Sequence, residues 1–316
     1  LFRSVIENLI YTTTSDGPNA SRNIRFVLTD STGAASTARD MQINVTPQVD
    51  GASPIFGEQQ VNTYEANEQH VPVTVGLQGP NTGSYVVVWR SYTQDGDSYG
   101  VYGQRYDAQG VAVGNQFQVN DYTPFDQTEP VVASLDGGGF VVVWRSEGQD
   151  GSGGGVYAQR FDAAGAALGG EFRVNTTTDS NQSDAHVAVL ADGSFVVAYR
   201  SDYTNAAGSY LYDVLARRFD ATGNELNPEF TVNTTTTGTQ DEPAVTALEN
   251  GGWVITWTGA AASSYDIFLQ QYDAAGRQLD GQTLVNRYTP YVQYNPSITS
   301  MADGGFVVAW EAPDGW

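Results

Sequence analysis

Short apolar runs, each closed by a large aromatic residue, recur along most of the chain. The clearest are residues 84–91, 139–146 and 194–201, and weaker copies occupy 252–257 and 305–310. The closing aromatic stands at positions 89, 144, 199, 257 and 310, so the spacing is 55, 55, 58 and 53 residues. A self-similar period in this range is typical of a repeat architecture.

Each repeat divides into four β-runs, which the unit at 130–175 shows most clearly. Its runs are 130–135, 140–146, 156–162 and 171–175, with a tight turn at 136–138 and a glycine-rich loop at 147–155. The second run is apolar on both faces, which is typical of a strand covered on both sides. These features predict an all-β fold, a β-propeller of four-stranded blades. A parallel β-helix has shorter rungs, and separate sandwich domains need units of about 90 residues.

The pattern also predicts the domain plan. Residues 1–48 alternate apolar and polar positions between turn-forming segments and are interpreted as the C-terminal part of a β-sandwich. Residues 49–54 form a polar linker, and residues 55–316 hold the propeller repeats. Four complete blades are followed by a fifth unit that stops after its second run, so we expect the native chain to continue past Trp316.

Composition narrows the range of partners. The 316 residues include 36 acidic and 14 basic residues, all of the latter arginine, and the formal net charge is −22. Nucleic acid and anionic membrane surfaces need a basic footprint, so neither is an expected partner. No apolar run is long enough to insert into a bilayer. The chain has no cysteine, which excludes a disulfide scaffold, a thiolate metal site and a cysteine nucleophile.

The long loops between second and third strands and between blades share one rim of a propeller, where we look for binding residues. A glutamine recurs at the end of each loop between blades, and Gln127, Gln182 and Gln240 are candidate ligand-binding residues. The alternative is that each glutamine hydrogen-bonds loop backbone in its own blade. Acidic or amide residues often follow two positions later, at Glu129, Asp184, Glu242 and Asn295.

Arginines that directly follow the strand aromatic form a second candidate group: Arg90, Arg145 and Arg200. Guanidinium groups at equivalent places are suited to carboxylates or sulfates of a polysaccharide. The alternative is that they pair with the many aspartates of the chain itself.

Aspartates in the loops between second and third strands form a third group. Asp95, Asp97 and Asp150 alternate with glycine or polar residues, as oxygen ligands of Ca²⁺ do. The sequence therefore predicts calcium there, although the twelve-residue loop pattern is incomplete and Asp-Gly is also a common turn.

Catalytic residues are not evident from the sequence. His70 and His186 fall at different places in their units, and no catalytic motif is present. We therefore expect no enzymatic activity, although a carboxylate pair for glycoside chemistry cannot be recognised from spacing.

The motifs Gly-Phe-Val-Val-Val-Trp, Gln-Asp-Gly, Val-Tyr-Ala-Gln-Arg-Phe-Asp-Ala-Ala-Gly and Glu-Phe-Arg-Val-Asn-Thr together resemble the repeats of giant bacterial surface adhesins of the RTX type, exported by type I secretion. The resemblance covers about 260 residues, and residues 10–16 and 25–30 resemble the end of a cadherin-like or Ig-like domain. It implies a secreted, cell-surface protein in a calcium-containing medium, with adhesion or matrix binding as the expected function. A lectin-like propeller that binds glycans is the alternative, and an extracellular polysaccharide hydrolase or lyase is the third hypothesis.

Overall fold

The computed structural model describes residues 59–261, 264–287 and 291–312, together with two short strands nearer the N-terminus. These strands, β1 (Arg22–Phe26) and β2 (Arg39–Ile43), pair antiparallel. The rest of the predicted sandwich and the predicted linker at 49–54 lie outside the described residues. The domain boundaries of that segment therefore stay a prediction.

Four antiparallel four-stranded sheets and one two-stranded sheet follow, here called blades 1 to 5. Blade 1 holds β3 (Gln69–Gly76), β4 (Tyr85–Tyr92), β5 (Tyr99–Tyr106) and β6 (Ala112–Gln118). Blade 2 holds β7 (Gln127–Ser134), β8 (Phe140–Glu147), β9 (Gly154–Phe161) and β10 (Phe172–Arg173). Blade 3 holds β11 (Gln182–Val189), β12 (Phe195–Thr204), β13 (Tyr210–Phe219) and β14 (Phe230–Thr231).

Blade 4 holds β15 (Gln240–Ala247), β16 (Trp253–Ala260), β17 (Tyr265–Tyr272) and β18 (Gln278–Leu284). Blade 5 pairs β19 (Tyr294–Ser300) with β20 (Phe306–Glu311). Single 3₁₀ turns at Gly79–Asn81 and Asp136–Gly138 join the first two strands of blades 1 and 2. Strand order follows the chain within each sheet, so the predicted four-run repeat is confirmed.

The sheets radiate from an axis lined by their first strands. First strands of consecutive blades pack directly on one another, and β11 and β15 also pack on the second and third strands of the preceding blade. The apolar core is correspondingly divided into four clusters, each filled by side chains of two consecutive blades. This is the β-propeller arrangement, and it explains the second strands that are apolar on both faces: Phe140 to Trp144 are all fully buried.

A buried asparagine after the last strand of each complete blade completes the repeat. The side-chain oxygens of Asn120, Asn175, Asn233 and Asn286 accept the N–H groups of Val101, Val156, Val214 and Ile267 on the third strands, at 2.7–2.8 Å. The amide thereby takes the place of a backbone partner where the short fourth strand ends. A buried N–H without such a partner is destabilising.

The two rims of the propeller differ in construction. On one rim, tight turns close on an aspartate that accepts two backbone N–H groups, as Asp162 does from Ala164 and Ala166 at 2.9 and 2.8 Å. An arginine of the preceding blade then donates to a carbonyl of that turn, as Arg160 does to Ala221 at 2.6 Å. We call this the tight-turn rim. The opposite, long-loop rim carries the loops between blades.

Candidate functional site

Every first strand contains a β-bulge where it reaches the long-loop rim. Strand pairing shifts between Thr128 and Val131, so that Glu129 and Pro130 together face Trp144 of the second strand. The same shift occurs in the four other blades. Proline follows the first bulge residue in four of the five blades, in keeping with its tolerance at bulges, where no ladder N–H is needed.

The first residue of each bulge has a left-handed backbone conformation. The φ angles are 53° at Val71, 55° at Glu129, 50° at Asp184, 53° at Glu242 and 51° at Asn295. Left-handed φ at a residue other than glycine is unfavourable, and such strain is concentrated at functional sites. The bulges therefore direct two glutamates, one aspartate and one asparagine from neighbouring first strands toward the same end of the axis.

Two of these carboxylates link one blade to the next. Glu129 Oε2 accepts the backbone N–H of Asp184 at 3.0 Å, and Glu242 Oε2 accepts that of Asn295 at 2.6 Å. Glu242 Oε2 also accepts the hydroxyl of Thr258 at 2.7 Å. Each glutamate is thus held in a fixed position and satisfies the strained bulge of the following blade.

Asp184 differs because its shorter side chain meets a guanidinium group instead. Arg200 Nη1 lies 3.0 Å from Asp184 Oδ2 and 3.3 Å from Asp241 Oδ1 of the next blade, so a single nitrogen bridges the two carboxylates. Arg200 Nε lies 3.1 Å from Asp202 Oδ1, and the guanidinium group stacks over the ring of Tyr212 at 4.5 Å. We call Glu129, Asp184, Asp241 and Glu242 the axial carboxylates.

The surroundings shift the proton affinity of two groups in this cluster. Burial, together with the nearby charges of Glu129 and Asp241, raises the pKa of Asp184 to about 6, although Arg200 opposes the shift. Burial alone would lower the pKa of Arg200, but the carboxylates of Asp241, Asp184 and Asp202 outweigh it and raise that pKa. Asp184 can therefore hold a proton near pH 6 while Arg200 stays charged. A carboxyl group with a raised pKa beside other carboxylates is a common arrangement for general acid–base chemistry.

His186 lies two residues beyond the bulge of blade 3 on the same first strand. Solvent reaches part of the side chain, but the surrounding protein desolvates the ring and lowers its pKa. The imidazole is therefore neutral at pH 7. The sequence did not associate this histidine with the carboxylates, because its equivalents in other blades are valine, alanine and serine.

The three glutamines predicted to bind a ligand lie inside the protein. Gln127, Gln182 and Gln240 are fully buried. Gln127 donates to the carbonyl of Pro124 at 2.9 Å, and Gln182 donates to that of Asp179 at 3.0 Å. Gln240 instead accepts the indole N–H of Trp257 at 3.0 Å. The amides of Gln127 and Gln182 thus hold loop backbone, as in the alternative interpretation. Because all three glutamines are buried, their assignment as ligand-binding residues is corrected.

The three predicted arginines occupy equivalent places but have different neighbours. Arg90 stacks over the ring of Tyr99 at 4.6 Å, and Arg145 pairs with Glu147. Arg200 alone joins the axial carboxylates. Arg145 and Arg200 pair with acidic side chains of the chain itself, as the alternative interpretation expects. Polysaccharide binding through Arg90 or Arg145 stays a prediction.

The aspartates predicted to bind calcium hold loop backbone. Asp97 Oδ2 accepts the N–H of Phe125 at 2.9 Å, and Asp150 Oδ1 accepts that of Ser152 at 3.2 Å. Asp95 is partly buried, which raises the pKa of its carboxyl group. Among the residues that the structure describes, no group of three or more His, Cys, Asp or Glu side chains is arranged to hold a metal ion. Calcium binding stays a prediction.

The axial carboxylates were only partly recognisable from sequence. The repeated acidic or amide position after each glutamine contains Glu129, Asp184 and Glu242, but the bulge that turns them to one axis leaves no mark in composition. Asp241 gave no signal at all. It aligns with His70, Thr128 and Ser183 in other blades, and only the fold brings it to Arg200.

Comparison with known proteins finds solved structures of similar fold but does not assign the chain to a family. No family model matches the chain, and no curated protein matches it. A Dyadobacter fermentans protein of unknown function is 11% identical, with 76% of this chain and 74% of that chain covered and a TM-score of 0.54. Penicillium chrysogenum α-L-arabinanase, complexed with arabinobiose, is 15% identical, with 76% of each chain covered and a TM-score of 0.52. A Bacteroides thetaiotaomicron endo-arabinase is 11% identical, covers 78% and 89%, and has a TM-score of 0.44.

At these identities the likeness shows the fold, and it confirms the predicted propeller class. The expected function is corrected by the same comparison, because the Penicillium chrysogenum neighbour is an α-L-arabinanase and not an adhesin. The prediction of an adhesion or matrix module is therefore wrong, and so is the prediction of no enzymatic activity. The resemblance to RTX-type repeats and the extracellular location stay predictions. Among the described residues, no helix is long and apolar enough to cross a membrane.

Proposed function

We propose that the chain is a carbohydrate-processing propeller that hydrolyses glycosidic bonds at the axial carboxylates. The observation that supports this most strongly is the Asp184 carboxyl group, which lies with Glu129 and Asp241 around it and has its pKa raised to about 6. Glu242 follows Asp241 directly, on the strained bulge of the next blade. Glycoside hydrolysis generally needs two carboxyl groups, one protonated and one ionised.

In this proposal the two roles fall on Asp184 and Glu242. Asp184 donates its proton to the oxygen of the leaving group, which its raised pKa favours near pH 6. Glu242 acts from the neighbouring blade as base or nucleophile, and its position is fixed by the hydroxyl of Thr258 and the N–H of Asn295. Arg200 positions the Asp184 carboxyl group and moderates the repulsion between it and Asp241.

The charge of the site favours an uncharged glycan as substrate. The site contains four axial carboxylates and one arginine, so a uronate or sulfated chain would be repelled at this end of the axis. The arabinobiose bound by the Penicillium chrysogenum arabinanase makes linear arabinan a reasonable first substrate to assay. The glycan partner predicted from sequence is thus retained in the proposal, with neutral sugars in place of anionic ones.

The test is release of reducing ends from a panel of neutral polysaccharides that includes linear arabinan. We expect Asp184→Asn and Glu242→Gln each to lower kcat by a factor of about 10²–10⁴, the usual contribution of a general acid or base. Glu249→Gln is the matched control, because Glu249 is an exposed glutamate in the turn between β15 and β16, on the opposite rim. Unchanged turnover in both site variants, or no turnover by the native chain on any glycan, would contradict the proposal.

A further inference from the structure

Phe125 combines two unfavourable features in the loop between blades 1 and 2. Its φ is 63°, in the left-handed region, and 58% of its surface is exposed. A bulky residue in this conformation is an outlier, and exposure of an aromatic ring forgoes the gain from burial. Neither feature stabilises the folded chain.

The equivalent position in other blades shows what the backbone requires there. Two residues before the repeated glutamine, blades 1, 3 and 4 place Asn67, Ser180 and Gly238, with φ of 62°, 64° and 80°, and blade 5 places Tyr291, which is 48% exposed. Asparagine and glycine adopt this conformation more readily than other residues. The backbone therefore takes a left-handed residue at this point in blades 1 to 4, and in blades 1, 3 and 4 that residue is not aromatic.

The contacts of Phe125 fix its backbone and leave the ring at the surface. Its N–H donates to Asp97 Oδ2 at 2.9 Å, and its carbonyl accepts from the Gln127 amide at 3.4 Å. Any residue other than proline could make these two backbone contacts. One side of the ring rests on Gly148, where an added Cβ would approach the ring at 3.3 Å. The result is an exposed aromatic platform on the long-loop rim, with Gly148 beside one side of the ring.

The platform lies close to the axial carboxylates along the chain. Phe125 precedes Glu129 by four residues, which span at most about 14 Å even when fully extended. A polymer bound at the axis and continuing outward over the loop between blades 1 and 2 would pass this ring.

We propose that Phe125 is a sugar-stacking subsite, which packs against the apolar face of a pyranose or furanose ring in a neutral glycan extending from the axial carboxylates. The inference rests on the proposed function and specifies its substrate class, a polymeric glycan bound beyond the cleavage point. Stacking buries the exposed ring, which recovers the hydrophobic gain forgone in the free protein.

The decisive variant is Phe125→Asn, which installs the residue that blade 1 uses at the same position. Ser180→Asn is the matched control, a change to asparagine at the equivalent place in blade 3. Binding is measured calorimetrically with linear arabino-oligosaccharides from the disaccharide upward, and kcat and KM are measured on arabinan. The thermal midpoint is recorded for all three proteins.

For Phe125→Asn we expect a thermal midpoint equal to or above that of the native chain, together with affinity for long oligosaccharides lowered about tenfold. Binding of the disaccharide and kcat should be unchanged, and KM for arabinan should rise. Ser180→Asn should alter none of these quantities. A native chain that hydrolyses arabinan while Phe125→Asn binds every length equally well overturns the subsite alone. A native chain that neither binds nor cleaves a neutral glycan overturns the proposed function, and the subsite with it.

Discussion

The two rims of the propeller are built from the same repeats but differ in how far their side chains have diverged. On the tight-turn rim, the aspartate of each turn is the same in all complete blades, at Asp107, Asp162, Asp220 and Asp273. On the long-loop rim, the backbone bulge is equally regular, but its side chain is valine, glutamate, aspartate, glutamate or asparagine. In the tight turns, the side chain is therefore the same in every complete blade. In the bulges, the backbone conformation is the same in every blade, but the side chain changes.

This difference teaches where to look for function in a repeat protein. A residue kept in every blade is explained by a contact that every blade makes, such as the asparagine that replaces a backbone partner. Where a strained backbone conformation recurs but its side chain varies, the position is a candidate functional position. The backbone holds the side chain in the same place in each blade, and the functional group differs. Glu129, Asp184, Glu242 and Phe125 all stand at such left-handed positions.

The largest expected change in stability comes from a substitution in the packed sheets between the two rims. Trp144 is fully buried between blades, so Trp144→Ala should lower the free energy of unfolding by about 3–5 kcal/mol. Denaturant unfolding followed by circular dichroism measures this. Phe125→Ala serves as the exposed aromatic control. A loss below about 1 kcal/mol for Trp144→Ala would mean that the sheets do not pack face to face.

A smaller effect is expected on the tight-turn rim. Arg218 donates to the carbonyl of Ala274 at 3.0 Å and pairs with Asp192 at 2.5 Å, and it is buried. Arg218→Met should therefore destabilise the fold by about 2 kcal/mol, since a buried charged hydrogen-bond network is broken. Arg277→Met is the matched control, because the Arg277 side chain is 81% exposed. An equal decrease in the free energy of unfolding in the two variants would contradict a structural role for Arg218 on this rim.

The long-loop rim should respond to pH instead. The pKa of Asp184 is raised from 3.8 to about 6, so the native state binds a proton that the unfolded state has released. Stability from this group is present below about pH 4 and is lost as pH rises to about 6. Because 40% of the side chain is exposed, we expect only about 1 kcal/mol. Unfolding between pH 4 and 7 measures it, and Asp184→Asn should lack this component.

The smallest effect concerns the calcium predicted at Asp95, Asp97 and Asp150. A site with a dissociation constant of about 10⁻³ M would add only about 0.4 kcal/mol at an equal calcium concentration. Thermal melts in EDTA and in millimolar Ca²⁺ compare the two conditions, with Mg²⁺ as the control cation. An unchanged thermal midpoint would contradict calcium binding by these aspartates, whose described role would then be to hydrogen-bond loop backbone.

Much of the fold was predictable because blade strands have local patterns. The second strand of blade 2 was predicted at 140–146 and spans Phe140–Glu147, since continuous apolar character needs only neighbouring residues to be recognised. The fourth strand was predicted at 171–175 but covers only Phe172–Arg173, because Asn175 turns its side chain into the ladder.

The candidate site was less predictable because its contacts cross blades. Arg200 and Asp241 are 41 residues apart, and no sequence period relates them. The glutamines illustrate the opposite error. Their repetition drew attention to Gln127, Gln182 and Gln240, yet Gln127 and Gln182 repeat the same contact with loop backbone, and Gln240 accepts the indole N–H of Trp257.

The links between blades have an evolutionary consequence. Arg160 and Arg218 donate to carbonyl oxygens of the following blade, and Glu129 and Glu242 accept its N–H groups. At these four contacts the receiving blade contributes only main chain, which almost any amino acid supplies. A newly duplicated blade can therefore change its rim side chains and keep these four contacts, so gene duplication in this architecture yields positions that are free to acquire new chemistry.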